Sequence, residues 1–327
     1  MESFVFAFNT VAPIIIMVVL GWFLKKAGII GKDFVKAGNK LVFKVFLPVM
    51  LFSNVYKIEN IKNVDLGYIW YSLMMIFAVF CIAVFTSGFV VKEGPKRAAL
   101  VQGILRTNYA LIGIPVAGSL FGEEATAAAT VLSAFAIPLF NILAVAELSY
   151  FGKGKKTNAL SVVFDIAKNP LILGVAAGFA ALGVREIFIA AEIGFRLYDI
   201  AFIEKTAGYI SAMTTPFSLI ILGADFEISA IKALKKEIVF GTVMKCAAVP
   251  LIGVGTAFLL LSKELNAAEF AAIAALFSAP VAVSSLPLAQ EMGADTALAG
   301  QMVIWTTVCS SVSIFAVSFF LKMAGIF

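Results

Sequence analysis

The sequence predicts an all-α membrane protein of ten transmembrane helices, arranged as a 5+5 inverted repeat with two broken, proline-containing helices, the fourth and the ninth. Three observations lead there: composition, the spacing of charge-poor segments, and a recurring order of prolines and glycines. Of 327 residues, 61% are hydrophobic and 14% charged, with a mean hydropathy of +1.01. A soluble domain carries about 45–50% apolar and roughly 25% charged residues, so the excess apolar surface requires lipid around it. At roughly 20 apolar residues per span, this length accommodates about ten helices and leaves no room for a separate soluble domain.

The charge-poor segments fall at 3–24, 41–56, 66–91, 98–121 and 125–151, then at 169–184, 206–224, 238–262, 270–290 and 296–321. Segments of this length satisfy their backbone in hydrocarbon only as helices. Met1–Leu24 carries one charge, Glu2, and no basic n-region, so it reads as the first span rather than a cleaved leader. The second and sixth runs are short, and Lys44 and Lys168 extend them by snorkelling. Between the halves, Gly183–Lys205 mixes charges with Ile187, Phe188, Phe195, Leu197 and Phe202, the pattern of an amphipathic helix at the interface.

Orientation follows from loop lysines and arginines. Alternate connections carry fourteen of them: Lys25, Lys26, Lys32, Lys36, Lys40, Lys92, Lys96, Arg97, Lys153, Lys155, Lys156, Lys232, Lys235 and Lys236. The opposite loops and the C-terminal end carry seven: Lys57, Lys62, Arg185, Arg196, Lys205, Lys263 and Lys322. Both termini are therefore expected outside. The net charge of +5 belongs to this topology and not to a nucleic-acid-binding face. Cys81, Cys246 and Cys309 lie in apolar runs, as packing thiols do, with no metal spacing.

The repeat is read from spacing. Pro13 precedes Gly21 by eight residues, as Pro170 precedes Gly178; Pro48 answers to Pro216, Asn108 and Pro115 to Pro280 and Pro287, and Gly122 to Gly293. The offsets are 157, 168, 172 and 171, rising once where the Gly183–Lys205 stretch intervenes. Five spans per half force the second half to enter from the other side, the inverted arrangement common in secondary transporters. The halves are placed at 1–151 and 152–327, forming one integrated unit.

The fourth span holds Arg106, Thr107, Asn108, Tyr109, Gly113 and Pro115, and the ninth holds Pro280, Val281, Ser284, Ser285 and Pro287. Proline and glycine break helices, and broken backbone at membrane depth survives where it is enclosed by protein or lines a wet cavity. Two such breaks meeting near the midplane aim helix N-termini at one spot, which suits a carboxylate. Arg106 lies nine residues beyond Arg97, roughly 13 Å deeper along a helix. An uncompensated cation there costs at least about 2.5–3.5 kcal/mol, so Arg106 either forks onto a substrate carboxylate or pairs with carbonyls at the break. Lys245, Ser53, Asn54 and Asn141 are further polar groups in apolar company, either bonding between helices or lining the site. Glu147, close to the end of its span, reads as interfacial.

No enzyme signature is present. The absence of histidine removes zinc HExxH sites and Ser–His dyads. The aspartates lie in loops or at span ends rather than paired in mid-span, and there is no glycine-rich phosphate loop.

These residues carry a resemblance. Phe46-Leu47-Pro48, the run from Asn108 to Pro115, Asn169-Pro170, and Pro280 to Gly293 with Ala289-Gln290-Glu291 resemble the auxin efflux carrier family over nearly the whole chain. That family includes plant auxin exporters and bacterial permeases for malate and malonate, with a fold shared with bile-acid sodium symporters. The resemblance implies a panel domain and a core domain, crossover helices at the two prolines, Asn108 as a carboxylate ligand, elevator-like movement and a homodimer. The chain lacks the long hydrophilic central loop of plant members and has Thr107 where those carriers tend to place proline, which argues against auxin itself.

The expectation is thus a transporter of a small mono- or dicarboxylate in the cell membrane, with a ligand sensor or an anion channel using the same pocket as the other readings. No cofactor is expected. The coupling ion stays open: neither 98–121 nor 270–290 contains an acidic residue to hold sodium, although Thr107, Ser284 and Ser285 offer hydroxyls. A proton carrier has to be a carboxylate such as Glu147, Asp225 or Glu291, and uniport needs none.

Overall fold

A computed structural model describes residues 2–58, 66–152 and 159–326. Lys62, Asp65, Lys153, Lys155 and Lys156, which the sequence places in loops, lie outside the described residues. All described elements are helical. α1 (Glu2–Lys26) ends on Lys25 and Lys26, which complement the negative end of the helix. It turns off at Gly28 with φ +75°, a conformation glycine adopts without a Cβ penalty. α2 (Lys32–Leu41) runs on through a wide π turn (Val42–Phe46) into α3 (Leu47–Tyr56). Lys32, Lys36 and Lys40, expected in a loop, therefore stand on a helix that buries Val35, Gly38 and Asn39.

α4 (Leu66–Val90) and α5 (Gly94–Leu105) follow. A second π turn (Tyr109–Gly113) leads into α6 (Ile114–Phe151), which kinks where Gly122 takes φ 74° and ψ −155°, a region essentially restricted to glycine. α7 (Ala159–Lys168) precedes α8 (Pro170–Ala190), whose start is fixed by the Asn169 side chain accepting from Leu171 N at 2.9 Å and by Pro170 in the first turn. Then come α9 (Ala201–Asp225), α10 (Ile228–Ala233), and α11 (Lys235–Val243), joined by a third π turn (Met244–Ala248) to α12 (Val249–Leu261). α13 (Ala267–Ser278) opens on an Asn266/Glu269 capping box. α14 (Ser285–Met292) stops at Gly293, φ +77°, and α15 (Thr296–Met323) is capped by Asp295. Each π turn ends two residues before a proline: Pro48, Pro115 and Pro250. Proline crowds the carbonyl four residues back, and a widened turn makes room for that carbonyl.

The Gly183–Lys205 stretch is not the single amphipathic helix that its pattern suggests. Residues to Ala190 complete α8, Glu192 takes φ 58°, and Leu197–Asp199 form a short turn before α9. The turn is tied to α3: Tyr198 donates to Ser53 Oγ at 2.8 Å, and Leu197 N donates to the Tyr56 hydroxyl at 2.9 Å. These bonds fix a connector where the apolar periodicity alone favours a continuous helix.

Polarity is distributed inside out. Trp70, Phe85, Phe89, Leu251 and Leu259 face outward, whereas Arg106, Glu147 and Lys245 are 4%, 3% and 1% exposed. Six helical stretches among the described residues are long and apolar enough to cross a bilayer: Leu66–Val90, Gly94–Phe151, Pro170–Ala190, Ala201–Asp225, Lys235–Leu261 and Thr296–Met323. An apolar exterior of this extent is a lipid-facing one, and the chain is a multi-pass membrane protein.

Two helix pairs meet backbone to backbone. A Cβ on Gly21 would lie 2.0 Å from Ile220 O, and one on Gly223 1.9 Å from Val18 O, so α1 and α9 are in direct main-chain contact. In α8, Gly174 and Gly178 hold the same relation to Pro48 and to Phe52 and Val55 of α3. Small residues permit this approach in membranes, where packing rather than hydrophobic exclusion joins helices. Gly223→Ala should lower stability by about 1–3 kcal/mol, because neither backbone can recede without opening the pair. Gly208→Ala, with nothing within 4 Å of its new methyl group, should be neutral or stabilising. Thermal unfolding of the two variants in detergent checks the contrast; equal behaviour would contradict it.

Candidate functional site

The chain leaves its helix twice at the centre of the molecule. α5 stops at Leu105, and Arg106 and Asn108 take extended or irregular conformations (ψ 139° and 58°). α13 stops at Ser278, and the chain stays non-helical until α14 begins at Ser285. Pro280 cannot donate a backbone bond, and Pro287 sits in the first turn of α14 where no donor is needed. The breaks complete each other: Asn108 N donates to Pro280 O at 2.7 Å. Val281 N donates to Thr306 Oγ1 of α15 at 3.1 Å, so the second break is also held from behind.

The buried cations span the same two breaks. The Arg106 guanidinium donates to Ser284 Oγ at 2.9 Å, to Ser285 Oγ at 3.3 Å and to Asn141 Oδ1 of α6 at 3.1 Å. Asn141 is held by donating its own amide to Ile137 O at 2.9 Å. Lys245, on the third π turn, donates from Nζ to Thr107 Oγ1 at 2.6 Å. Both cations thus end on neutral oxygens, a costly arrangement that leaves positive potential around the breaks.

A cavity of about 750 Å³ lies against this centre. Asn108, Ala110, Leu111, Pro115, Val283 and Ser284 form one wall. Facing them are Asn54 of α3, Pro13 and Met17 of α1, and a hydroxyl row on α9: Ser211, Thr214, Thr215 and Ser218. No ionisable side chain lines it among the described residues; Arg106 stands behind its wall, bonded to Ser284 Oγ. Asn108's side-chain amide has no partner among the described residues and borders the cavity. The π turn opening at Tyr109 leaves leading amides without intrahelical acceptors, whereas at the start of α14 Ser285 N and Leu286 N are taken by Ala282 O and Val283 O. A second groove, about 670 Å³ between the Met244–Leu261 segment and α15, is almost wholly apolar and offers an anion little beyond the hydroxyls of Thr242 and Ser313.

The sequence-derived site residues separate into three groups. Asn108, Pro115, Ser284 and Asn54 border the cavity, and Arg106, Thr107, Asn141, Lys245 and Ser285 form the bonded layer behind it. Tyr109, Gly113, Pro280, Val281 and Pro287 shape the breaks. Tyr109 is buried and donates to Ala272 O of α13 at 3.0 Å, while Gly113 leaves room for its ring, which a Cβ would meet at 2.2 Å. Ser53 is apart from the cavity, bonded to Tyr198.

Glu147, read from the sequence as interfacial, is enclosed by protein. It is 3% exposed, and neither carboxylate oxygen has a hydrogen-bond partner among the described residues. Its helix continues past it to Phe151 and is covered by neighbours, which distance from the span end does not reveal. The α9 hydroxyls Ser211, Thr214, Thr215 and Ser218 are not among the residues expected from the sequence, although their i, i+3, i+4, i+7 spacing marks one helix face.

Similarity to known proteins agrees with this picture. The sequence profile described as "Membrane transport protein" matches residues 6–161 and 155–318. An uncharacterized transporter of Methanocaldococcus jannaschii is 27% identical over 234 residues, 68% of this chain and 70% of that protein. An uncharacterized transporter of Methanothermobacter thermautotrophicus is 24% identical over 316 residues, 94% and 95% of the two chains. Among solved structures, a sodium/proton antiporter from Methanocaldococcus jannaschii superposes with a TM-score of 0.62 at 15% identity, covering 98% of this chain and 95% of that one. At that identity the likeness is one of fold.

The Lys245–Thr107 bond has an asymmetric consequence. Thr107→Val strands a buried ammonium and should cost at least about 1–3 kcal/mol. Lys245→Met removes the charge together with its need for a partner and should cost less. Unfolding of both variants in detergent checks the order, and a larger loss for Lys245→Met would contradict it.

Proposed function

Because the chain belongs to the membrane transport protein family, a family of transporters and not of enzymes, we propose that it carries a small mono- or dicarboxylate across the cell membrane by alternating access. The observation that carries this reading is the pair of buried cations, Arg106 and Lys245, bonded to neutral oxygens at two mutually bonded helix breaks beside a cavity. Such a site has positive potential, free amide donors and no anion of its own, which favours a carboxylate. In this reading Asn108 and Ser284 contact the substrate directly. Arg106 supplies charge through Ser284 and Ser285, with Asn141 holding its guanidinium. Lys245 and Thr107 fix the first break, and Asn54 with the α9 hydroxyls faces the substrate from the other wall. Tyr109, Gly113, Pro115, Pro280, Val281 and Pro287 hold the breaks open.

The architecture proposed is ten spans in two inverted halves, residues 1–151 and 152–327, with crossover helices at the breaks. The glycine contacts support it. Gly21 and Gly178, equivalent by the 157-residue offset, meet Ile220 and Phe52, which are equivalent by the 168-residue offset. An exchange of partners between halves is what an inverted repeat produces. The close pairs α1–α9 and α3–α8 then form the panel and the helices around the breaks form the core. Elevator movement slides the core past the panel, with the cavity between them. Both termini face outside, and the protein assembles as a homodimer.

Removing the proposed ligand tests the site. A carboxylate at 100 times its dissociation constant stabilises the folded protein by about 2.7 kcal/mol. Across lactate, malonate and malate, at least one should raise the melting temperature of the wild type, and Asn108→Ala should abolish that rise without lowering the unliganded melting temperature by more than a few degrees. An undiminished shift in Asn108→Ala would contradict the assignment.

A further inference from the structure

Glu147 is a carboxylate that anion carriage does not itself need. It lies on α6 six residues beyond Asn141, is 3% exposed, and has both oxygens without a hydrogen-bond partner among the described residues. Arg106 is tied to the same helix, donating to Asn141 Oδ1 at 3.1 Å. Other ionisable groups on elements packed against α6 have partners of their own: Lys96 pairs with Glu93, Arg97 is bonded to Ser87 and Val84 O, Tyr68 to Ala128 O and Tyr109 to Ala272 O, Arg185 to Glu186 and to main-chain carbonyls, and Glu269 to its capping box. Lys168 lies over the Phe164 ring, Glu291 is partly exposed, and the Asp165 side chain lies outside the described residues.

An ionised carboxylate buried without donors is costly, and its strongest partner is a guanidinium. Here the guanidinium instead goes to Ser284, Ser285 and Asn141, which is the arrangement expected around a neutral acid. Sodium does not fit as the neutralising ion. Hard cations take several oxygen ligands, and among the described residues no group of three His, Cys, Asp or Glu side chains is placed to hold a metal.

We propose that Glu147 is the proton-binding site that couples transport, with Arg106 as a two-position switch. With Glu147 protonated, Arg106 points at Ser284 and lends its charge to the substrate site. When the proton leaves, Arg106 turns to the carboxylate, the two charges compensate, and the substrate site loses its attraction for an anion. Proton and anion therefore bind together and are released together, one proton per anion in the same direction. The sign follows from linkage: anion affinity is highest where Glu147 is protonated and falls up to tenfold per pH unit above its titration, and anion binding takes up a proton reciprocally.

This proposal rests on the carboxylate reading, and two measurements separate their failures. In proteoliposomes supplied with labelled lactate, malonate or malate, an inward proton gradient of one pH unit should raise wild-type accumulation by up to about tenfold. Glu147→Gln, a mimic of the neutral acid, should keep exchange of internal for external substrate while losing gradient-driven accumulation. Accumulation in Glu147→Gln equal to wild type would overturn the proposal, as would wild-type accumulation indifferent to the gradient. Infrared spectra of the purified full chain provide the second readout, independent of substrate. A protonated-carboxyl C=O band present in wild type and lost in Glu147→Gln supports the proton site even if none of the three probes is transported, which would overturn the carboxylate reading alone. No band difference between the two proteins would overturn the proton site.

Discussion

The hydrogen bond from Asn108 N to Pro280 O, 2.7 Å long, joins two segments that have each left their helix. In hydrocarbon a backbone outside a helix has no water to turn to, so every freed donor and acceptor must be met by protein. The breaks meet that constraint by lying against each other, with Thr306 taking Val281 N and Tyr109 anchoring to Ala272 O. The cavity follows from the same geometry, since a helix that stops and restarts exposes its leading amides beside the gap. The position of Arg106 follows as well: it is the residue that caps α5 and the one whose side chain reaches Ser284 and Ser285 across the gap.

Buried charge gives this centre its chemical character. Arg106 and Lys245 sit on neutral oxygens, and Glu147 sits on none. A protein selected only for stability would replace such groups with apolar ones at little cost or some gain. Their retention in the interior is what a need to hold an anion or to exchange a proton would explain. The chain belongs to a family of membrane transporters.

Much of the helical plan was legible in the sequence because lipid imposes it. α15 begins where its charge-poor run begins, and the break after Leu105 falls where arginine, asparagine, glycine and proline cluster. What escaped was decided by tertiary packing. Glu147 sits close to the end of its span, as an interfacial group would, and only neighbouring helices bury it. Gly183–Lys205 has the apolar spacing of one helix, yet Tyr198 and Leu197 pin it to α3 as a connector. The π turns before Pro48, Pro115 and Pro250 have no composition of their own; other prolines, such as Pro13 and Pro138, lie in helices without one. Of the candidate residues, the sequence located the breaks well. It did not separate side chains that border the cavity from those, such as Tyr109 and Asn141, that brace it.

In the proposed function, the two breaks and the cations behind them form one anion site. The most direct test is an experimental structure of the protein in lipid nanodiscs with a saturating carboxylate. The account predicts ligand density in the cavity with its carboxylate within hydrogen-bonding distance of Ser284 Oγ and the Asn108 amide. Density seated elsewhere, with the region between Asn108 and Ser284 filled by ordered water alone, would contradict it.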